Sequence, residues 1–246
     1  MASYSEIFIE MLARYGHIIS GITWIGLLYY FNFAQTPAFA QFEAGARNEG
    51  FAKLVPRAMW WFRYAALATL VFGLLLFGLY SSGDSKPYDG MKNAEVMAIL
   101  AGIYFALIMF CNVWFVIWPA QRRAIANAQN LLGGGEADTG LPPIMRRAAT
   151  ASRTNTFLSI SMLFFMVFAA HASALTGRFD TTSGGHRVLW YLVVLVVGAV
   201  AEAIALKAPA VGSGLTKHLD NHRTTIATGF ILTAILYLVF EVVFKR

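Results

Sequence analysis

Apolar residues in this chain gather into long blocks, and polar residues gather between them. A block of about 20 residues is what an α-helix needs to cross ~30 Å of hydrocarbon at ~1.5 Å per residue. Six such blocks predict six membrane-spanning helices, at about 7–33, 59–80, 94–118, 156–175, 188–206 and 224–244. Punctuation residues set the expected ends. Pro37 follows the first block and Pro119 closes the third, each read as a stop, and Ser81-Ser82-Gly83-Asp84 after the second has turn composition. The stretch 121–153, with Gly133-Gly134-Gly135 and Pro142-Pro143, reads as an extramembrane, cytoplasmic loop. No fixed-period repeat is visible. The expected fold is therefore one all-α domain over 1–246, a bundle of six transmembrane helices in contact with the lipid bilayer.

Within the blocks, Ala65, Thr69 and Gly73 recur every four residues, and Gly198, Ala201 and Ala205 form a similar strip. Such small-residue strips let a second helix approach closely.

Composition agrees: 58% of residues are hydrophobic, 13% are charged and the mean hydropathy is +0.58, outside the range of soluble domains. A net charge of +6 raises the question of nucleic acid. The basic residues lie between the spans, where the positive-inside rule and anionic headgroups account for them, so nucleic-acid binding is excluded. The loops after spans one, three and five, with their flanks, hold Arg47, Lys53, Arg57, Arg63, Arg122, Arg123, Arg146, Arg147, Arg153, Lys207, Lys217 and Arg223, the larger share of Lys and Arg. These loops are assigned to the cytoplasm, which puts both termini on the non-cytoplasmic side of a bacterial inner membrane. Glu6 and Glu10 precede the first block without a basic region, so a cleaved signal peptide is not expected. Cys111 is the single cysteine, which leaves no disulfide, no Cys-x-x-Cys-His and no iron–sulfur cluster.

Ionisable groups inside hydrocarbon cost a few kcal/mol each and are functional candidates by default. His17 lies in the first third of span one, flanked on its face by Ala13, Ser20, Gly21 and Trp24, and His171 lies near the end of span four. Span one enters from the outside and span four returns to it, so both imidazoles fall in the outer half of the bilayer. Two histidines at one level give either axial ligation of b-type haem iron or hydrogen bonds to neighbouring helices. Glu202 on span five is the other deep charge, either an acceptor from a histidine or arginine, a proton carrier, or a neutral carboxyl bonded within the bundle. Asn112 on span three is expected to bridge helices, Arg63 to extend its head to the cytoplasmic interface, and Glu241 to pair with Lys245 at i+4. His218 and His222 have an i, i+4 spacing that chelates metal on a helix, but no third ligand lies near them, and a solvated loop is expected. His186, at an interface beside Arg187, needs no special role.

Several segments together resemble the membrane domain of the cytochrome-c-linked urate oxidase (urate hydroxylase) family. They are Arg14-Tyr-Gly-His17-Ile-Ile-Ser-Gly-Ile-Thr-Trp24-Ile-Gly26, Trp60-Trp61-Phe62, Asn112-Val-Trp-Phe-Val-Ile-Trp-Pro119-Ala-Gln121-Arg122-Arg123, and Arg153-Thr-Asn155-Thr-Phe-Leu158 leading to His171. The resemblance covers about residues 10–175. It implies a redox domain facing the periplasm, with electrons passed to a cytochrome c, and the first-span histidine motif also resembles that of membrane protoporphyrinogen oxidases, which hold b haem. Three places depart from the family pattern: Arg63 where an acidic residue is usual, Thr154 where a histidine is, and Ala170 where an asparagine is. With no cytochrome c motif in these residues, the electron acceptor is expected to be a separate protein.

Two functions follow from these readings. The first is a membrane redox protein, an oxidoreductase or electron carrier with b haem on His17 and His171. The second is a non-catalytic accessory subunit of a larger respiratory or photosynthetic membrane complex. A proton-coupled carrier using Glu202 is a weaker third, because neither internal repeats nor broken helices are visible.

Overall fold

The computed structural model describes residues 4–82, 93–172, 178–207, 212–214 and 216–245. Nine α-helices are found among these residues: α1 (Tyr4–Tyr29), α2 (Thr36–Gln41), α3 (Ala44–Glu49), α4 (Val55–Ser82), α5 (Ala94–Cys111), α6 (Trp118–Leu132), α7 (Leu141–His171), α8 (Gly184–Lys207) and α9 (His222–Phe244). The β structure among them is one isolated bridge, Phe179 to Lys245.

Side-chain contacts fix the helix directions. α1 and α4 run antiparallel, with Phe31 on Phe62 near one end and Glu10 on Tyr80 at the other. α7 runs antiparallel to α5 through Asn155–Asn112 and parallel to α9 through Ser161–Thr233. α8 runs parallel to α5, from Trp190 Nε1 on Met97 O to Glu202 on Asn112. The bundle thus has a terminal end, holding the start of α1 and the end of α9, and a hairpin end, where α6 and the start of α7 project.

The distribution of polarity is the reverse of a soluble bundle. Asn112, Thr150, Thr154, Asn155, Thr156, Ser159 and Ser161 are each at most 1% exposed, most of them on α7 at the centre. Meanwhile Val242, Phe115, Ile22 and Phe230 are 60–80% exposed. Water would penalise that apolar area by roughly 25 cal/mol per Å², whereas hydrocarbon does not. Five helical runs are long and apolar enough to cross a membrane: Ala44–Ser81, Ala94–Leu132, Leu141–His171, Gly184–Lys207 and His222–Phe244. The first predicted span, 7–33, is helical in α1 but is not among the five; Glu10, Arg14 and His17 reduce its apolarity.

Prolines do not stop the helices where the sequence suggests. Three π-helical turns, Tyr30–Gln35, Gly50–Leu54 and Asn112–Ile117, each end two residues before a proline: Pro37, Pro56 and Pro119. Proline lacks an N–H and its ring presses on the carbonyl four residues back; a wider i→i+5 turn makes room for both. The third span therefore continues through Pro119 into α6 as far as Leu132, and the chain after span one turns only at Phe42. The predicted loop 121–153 is correspondingly a helical hairpin whose non-helical part is 133–140. Pro142 and Pro143 sit in the first turn of α7, where a missing N–H costs nothing. Gly134, at φ +82°, makes the turn. Asp138 closes it: its backbone N–H donates to Asn127 Oδ1 (2.7 Å) and its carboxylate accepts from Arg123 Nη2 (2.8 Å). That bond holds the Asp138 carboxyl below the usual carboxylate range. The Gly83-Asp84 turn and the predicted end of span four beyond Ala172 lie outside the described residues.

Both small-residue strips are helix contacts. Gly73 and Thr69 of α4 face His17 and Gly21 of α1. A Cβ on Gly198 of α8 would meet Tyr104 and Ile108 of α5.

Candidate functional site

His17 owes its position to glycines on both helices of the α1–α4 pair. A Cβ on Gly16 would lie 2.7 Å from the Phe72 ring, and one on Gly73 would lie 3.0 Å from His17 Cε1. The imidazole therefore lies directly on the α4 backbone, half-buried, with Nδ1 2.9 Å from Thr69 O. A carbonyl only accepts, so Nδ1 carries the proton and Nε2 carries the lone pair. At the terminal end of the same interface, Glu10 accepts from Tyr80 Oη (2.6 Å) and Arg14 Nη2 (2.7 Å).

His171 is on the last turn of α7 and is exposed. Its Nδ1 donates to Val167 O at 2.8 Å, which again leaves Nε2 with the lone pair. The helices carrying the two histidines are cross-linked nearer the hairpin end, where Tyr29 Oη lies 2.9 Å from Ser159 Oγ and Asn32 Nδ2 donates to Ser152 Oγ at 2.8 Å. From the Tyr29–Ser159 contact each histidine is twelve residues toward the terminal end, about 18 Å along an α-helix. His17 packs on α4, whereas His171 belongs to the α5–α7–α9 side.

A second polar assembly lies near the middle of the bundle. Asn112 opens the π-helical turn Asn112–Ile117, and its Nδ2 donates to Asn155 Oδ1 on α7 and to Glu202 Oε2 on α8, both at 2.9 Å. Asn155 Nδ2 in turn donates to Met109 O at 2.9 Å. Asn112 thus ties three helices, and the partner of Glu202 is this amide rather than a histidine or arginine. Asn112 Oδ1 is buried without a hydrogen-bond partner. In the sequence Asn155 stands out only as part of the family-like segment Arg153–Leu158; the signal for a bridging role is an amide side chain at the entrance of an apolar block.

Other predicted groups fall elsewhere. The Arg63 guanidinium carbon lies 3.8 Å from the ring centre of Trp118, 5.0 Å from that of Tyr64 and 5.7 Å from that of Trp114. Indole faces attract a guanidinium once it is withdrawn from water. Glu241 accepts from Arg178 Nη2 (2.9 Å) and Tyr237 Oη, with the expected partner Lys245 contributing only its nearby charge, because the segment before α8 folds back along the end of α9. His218 and His222 do not share a helix, since His218 lies in the 3₁₀ turn Lys217–Leu219 and His222 opens α9. His218 is edge-on to Phe157, with ring centres 5.4 Å apart, and burial pushes its pKa below 6.5 despite Asp220 nearby. Among the described residues, no group of three or more His, Cys, Asp or Glu is arranged to hold a metal ion.

The model of the family described as urate oxidase N-terminal matches residues 91–204, from just before α5 to near the end of α8. The match takes in Asn112, Asn155, His171 and Glu202. It extends beyond the motif resemblance into α8 and does not include the His17 segment. No curated protein and no solved structure matches the chain. Over this stretch the chain is similar to a urate-oxidase-related family.

Proposed function

We propose that this chain is a six-span membrane redox protein, with α1 as the sixth crossing, that holds b-type haem between His17 and His171 and passes electrons to a separate cytochrome. In this reading both termini and the haem lie toward the non-cytoplasmic face of a bacterial inner membrane, and the α6–α7 hairpin projects into the cytoplasm. The observation that carries it is the shared anchoring of the two imidazoles. Each is oriented by a backbone carbonyl at Nδ1, and each is an equal helical distance from the Tyr29–Ser159 contact. Such outer hydrogen bonds fix the tautomer and raise the basicity of a ligating histidine. Similarity to the urate oxidase N-terminal family over 91–204 supports an oxidoreductase setting. Haem, when bound, supplies one-electron transfer. The chain's own contribution is to orient the imidazoles through Thr69 and Val167 and to keep α1 on α4 through Gly16, Gly21 and Gly73.

The test is haem content per chain after purification in mild detergent from haem-replete cells. The expectation is about one haem in the wild type and near-complete loss in both His17→Ala and His171→Ala, with each variant still monodisperse. Retention of haem in either folded variant contradicts the ligand assignment.

A further inference from the structure

One stripe of α4 faces outward. Trp60, Tyr64, Leu67, Val71 and Leu74 alternate by four and three residues, which puts them on one helical face, and each is 37–56% exposed. The stripe is aromatic at the hairpin end and aliphatic beyond it. Trp60 packs on Tyr64, with ring centres 4.9 Å apart, and edge-on to Trp61 at 5.0 Å. Tryptophan and tyrosine collect at headgroup level in a bilayer, and aliphatic side chains in the hydrocarbon below it.

Arg63 stands beside the aromatic end of this stripe, where α4 meets the run from Asn112 to Leu132. The rings of Trp118, Tyr64 and Trp114 attract its guanidinium but do not neutralise it. Neither α4 nor the run 112–132 contains an Asp or Glu, and Arg63 has no ion pair or hydrogen bond among the described residues. Its Nε is enclosed; Nη1 and Nη2 are equally unpartnered but not enclosed, so they are the donors an outside group can reach. Two more arginines lie farther toward the hairpin end. Arg57 precedes Trp60 by three residues on the same stripe, and Arg122 follows Trp118 by one helical turn; both are exposed and outside any ion pair among the described residues.

Three cations therefore bracket an aromatic layer with no carboxylate on either element that forms it. A zwitterionic headgroup would bring its own ammonium toward Arg57 and Arg122. A free phosphate would meet Arg63 but leave the aliphatic part of the stripe uncovered, whereas a phospholipid covers both. The dimensions agree: from Arg63 to Leu74 is eleven residues, about 16 Å along the helix, the depth of one leaflet of a ~30 Å hydrocarbon core.

We infer that this face of α4 binds an anionic phospholipid, with its phosphate on Arg63, its headgroup layer between Arg57 and Arg122, and one acyl chain along Tyr64, Leu67, Val71 and Leu74. The site uses neither His17 nor His171 and does not rest on the haem reading.

The experiment reconstitutes the full chain in phosphatidylcholine bilayers and titrates in phosphatidylglycerol with brominated acyl chains at constant ionic strength, with brominated phosphatidylcholine as the reference. Bromine quenches tryptophan on contact. Four of the six tryptophans, Trp60, Trp61, Trp114 and Trp118, lie in this cluster, while Trp24 and Trp190 are buried, so the quenching reports on the site. An arginine beside an anionic headgroup is worth about a fivefold preference. The wild type should therefore prefer phosphatidylglycerol by at least about fivefold, and Arg63→Leu should cut that preference by about fivefold. Arg63→Lys, which keeps the charge, should retain part of it. Arg147→Gln, which removes an exposed arginine from the start of α7, should leave it unchanged. Excess inorganic phosphate should not displace the lipid. Equal affinity for the two lipids in the wild type overturns the inference, as does an undiminished preference in folded Arg63→Leu. So does an equal loss in Arg63→Leu and Arg147→Gln, the mark of general attraction to a basic surface, or displacement by inorganic phosphate, the mark of a free-anion site. If Arg63→Leu fails to fold, the ranking of the two lipids on the wild type and on Arg147→Gln decides the matter.

Discussion

Truncating Asn155 to alanine removes two hydrogen bonds at once, the one accepted from Asn112 Nδ2 and the one donated to Met109 O, each 2.9 Å. The side chain is fully buried, so water does not replace either partner. Side-chain hydrogen bonds between membrane helices average about 0.6 kcal/mol and reach about 1.7 kcal/mol. Two of them, together with a small void, give an expected loss of about 2–3 kcal/mol for Asn155→Ala. The assay is reversible unfolding in mixed micelles, with Asn112→Ala and the double variant completing a thermodynamic cycle. The cycle should give a coupling of about 0.6–1.7 kcal/mol, because either truncation alone already breaks the bond between the two amides. Glu202→Gln keeps a carbonyl acceptor for Asn112 and should stay within about 0.5 kcal/mol of wild type. A loss below about 0.5 kcal/mol for Asn155→Ala, or strict additivity with Asn112→Ala, would refute the idea that this network joins α5, α7 and α8.

Three further outcomes are expected. Gly73→Leu drives a side chain into His17, and overpacking of this kind costs about 1–3 kcal/mol; both the melting temperature and any haem content should fall, while the exposed-face control Leu74→Ala should leave haem unchanged. Arg63→Leu removes the guanidinium from the Trp118, Tyr64 and Trp114 faces, a loss of about 0.5–2 kcal/mol, with a shift in tryptophan emission as the readout; an unchanged spectrum and melting temperature would argue against the cage. The folded-state pKa of His218 lies below 6.5, so the unfolded chain takes up its proton first, and stability present above pH 6.5 is lost as the pH falls below that value. The melting temperature should therefore drop between pH 7 and pH 5, and His218→Phe, which keeps a ring against Phe157, should flatten that slope; an identical slope in the variant would count against the assignment.

The positions of the long helices are legible in the sequence because burial in lipid demands unbroken apolar runs, and α4, α5, α7, α8 and α9 fall on five of the six blocks. The helix ends are less so. A proline at 37 or 119 reads as a stop, yet a π-turn two residues earlier absorbs the missing N–H, and nothing local in Tyr30–Gln35 or Asn112–Ile117 announces a wider turn. The stretch 121–153 reads as a loop because its composition is polar, but α6 and the first half of α7 are helices whose polar faces project beyond the apolar part of the bundle. Charge pairing is only partly legible for a similar reason. Glu241 has a neighbour at i+4 that sequence can name, while Arg178 reaches it only through the fold of the chain before α8. Among the candidate site residues, the expectation that His17 and His171 share a level rests on the order of the spans alone. Their common anchoring through Nδ1, and the pairing of Asn155 with Asn112, require the actual helix neighbours.

The central claim is that two imidazoles from α1 and α7 hold one haem. It is tested most directly by the absorption spectrum of the detergent-solubilised wild-type protein, oxidised and then reduced with dithionite. A haem held by His17 and His171 should give a Soret band that shifts on reduction and a sharp α-band of the low-spin type given by two nitrogen ligands. A colourless preparation from cells with ample haem, or a spectrum indifferent to reduction, would contradict it.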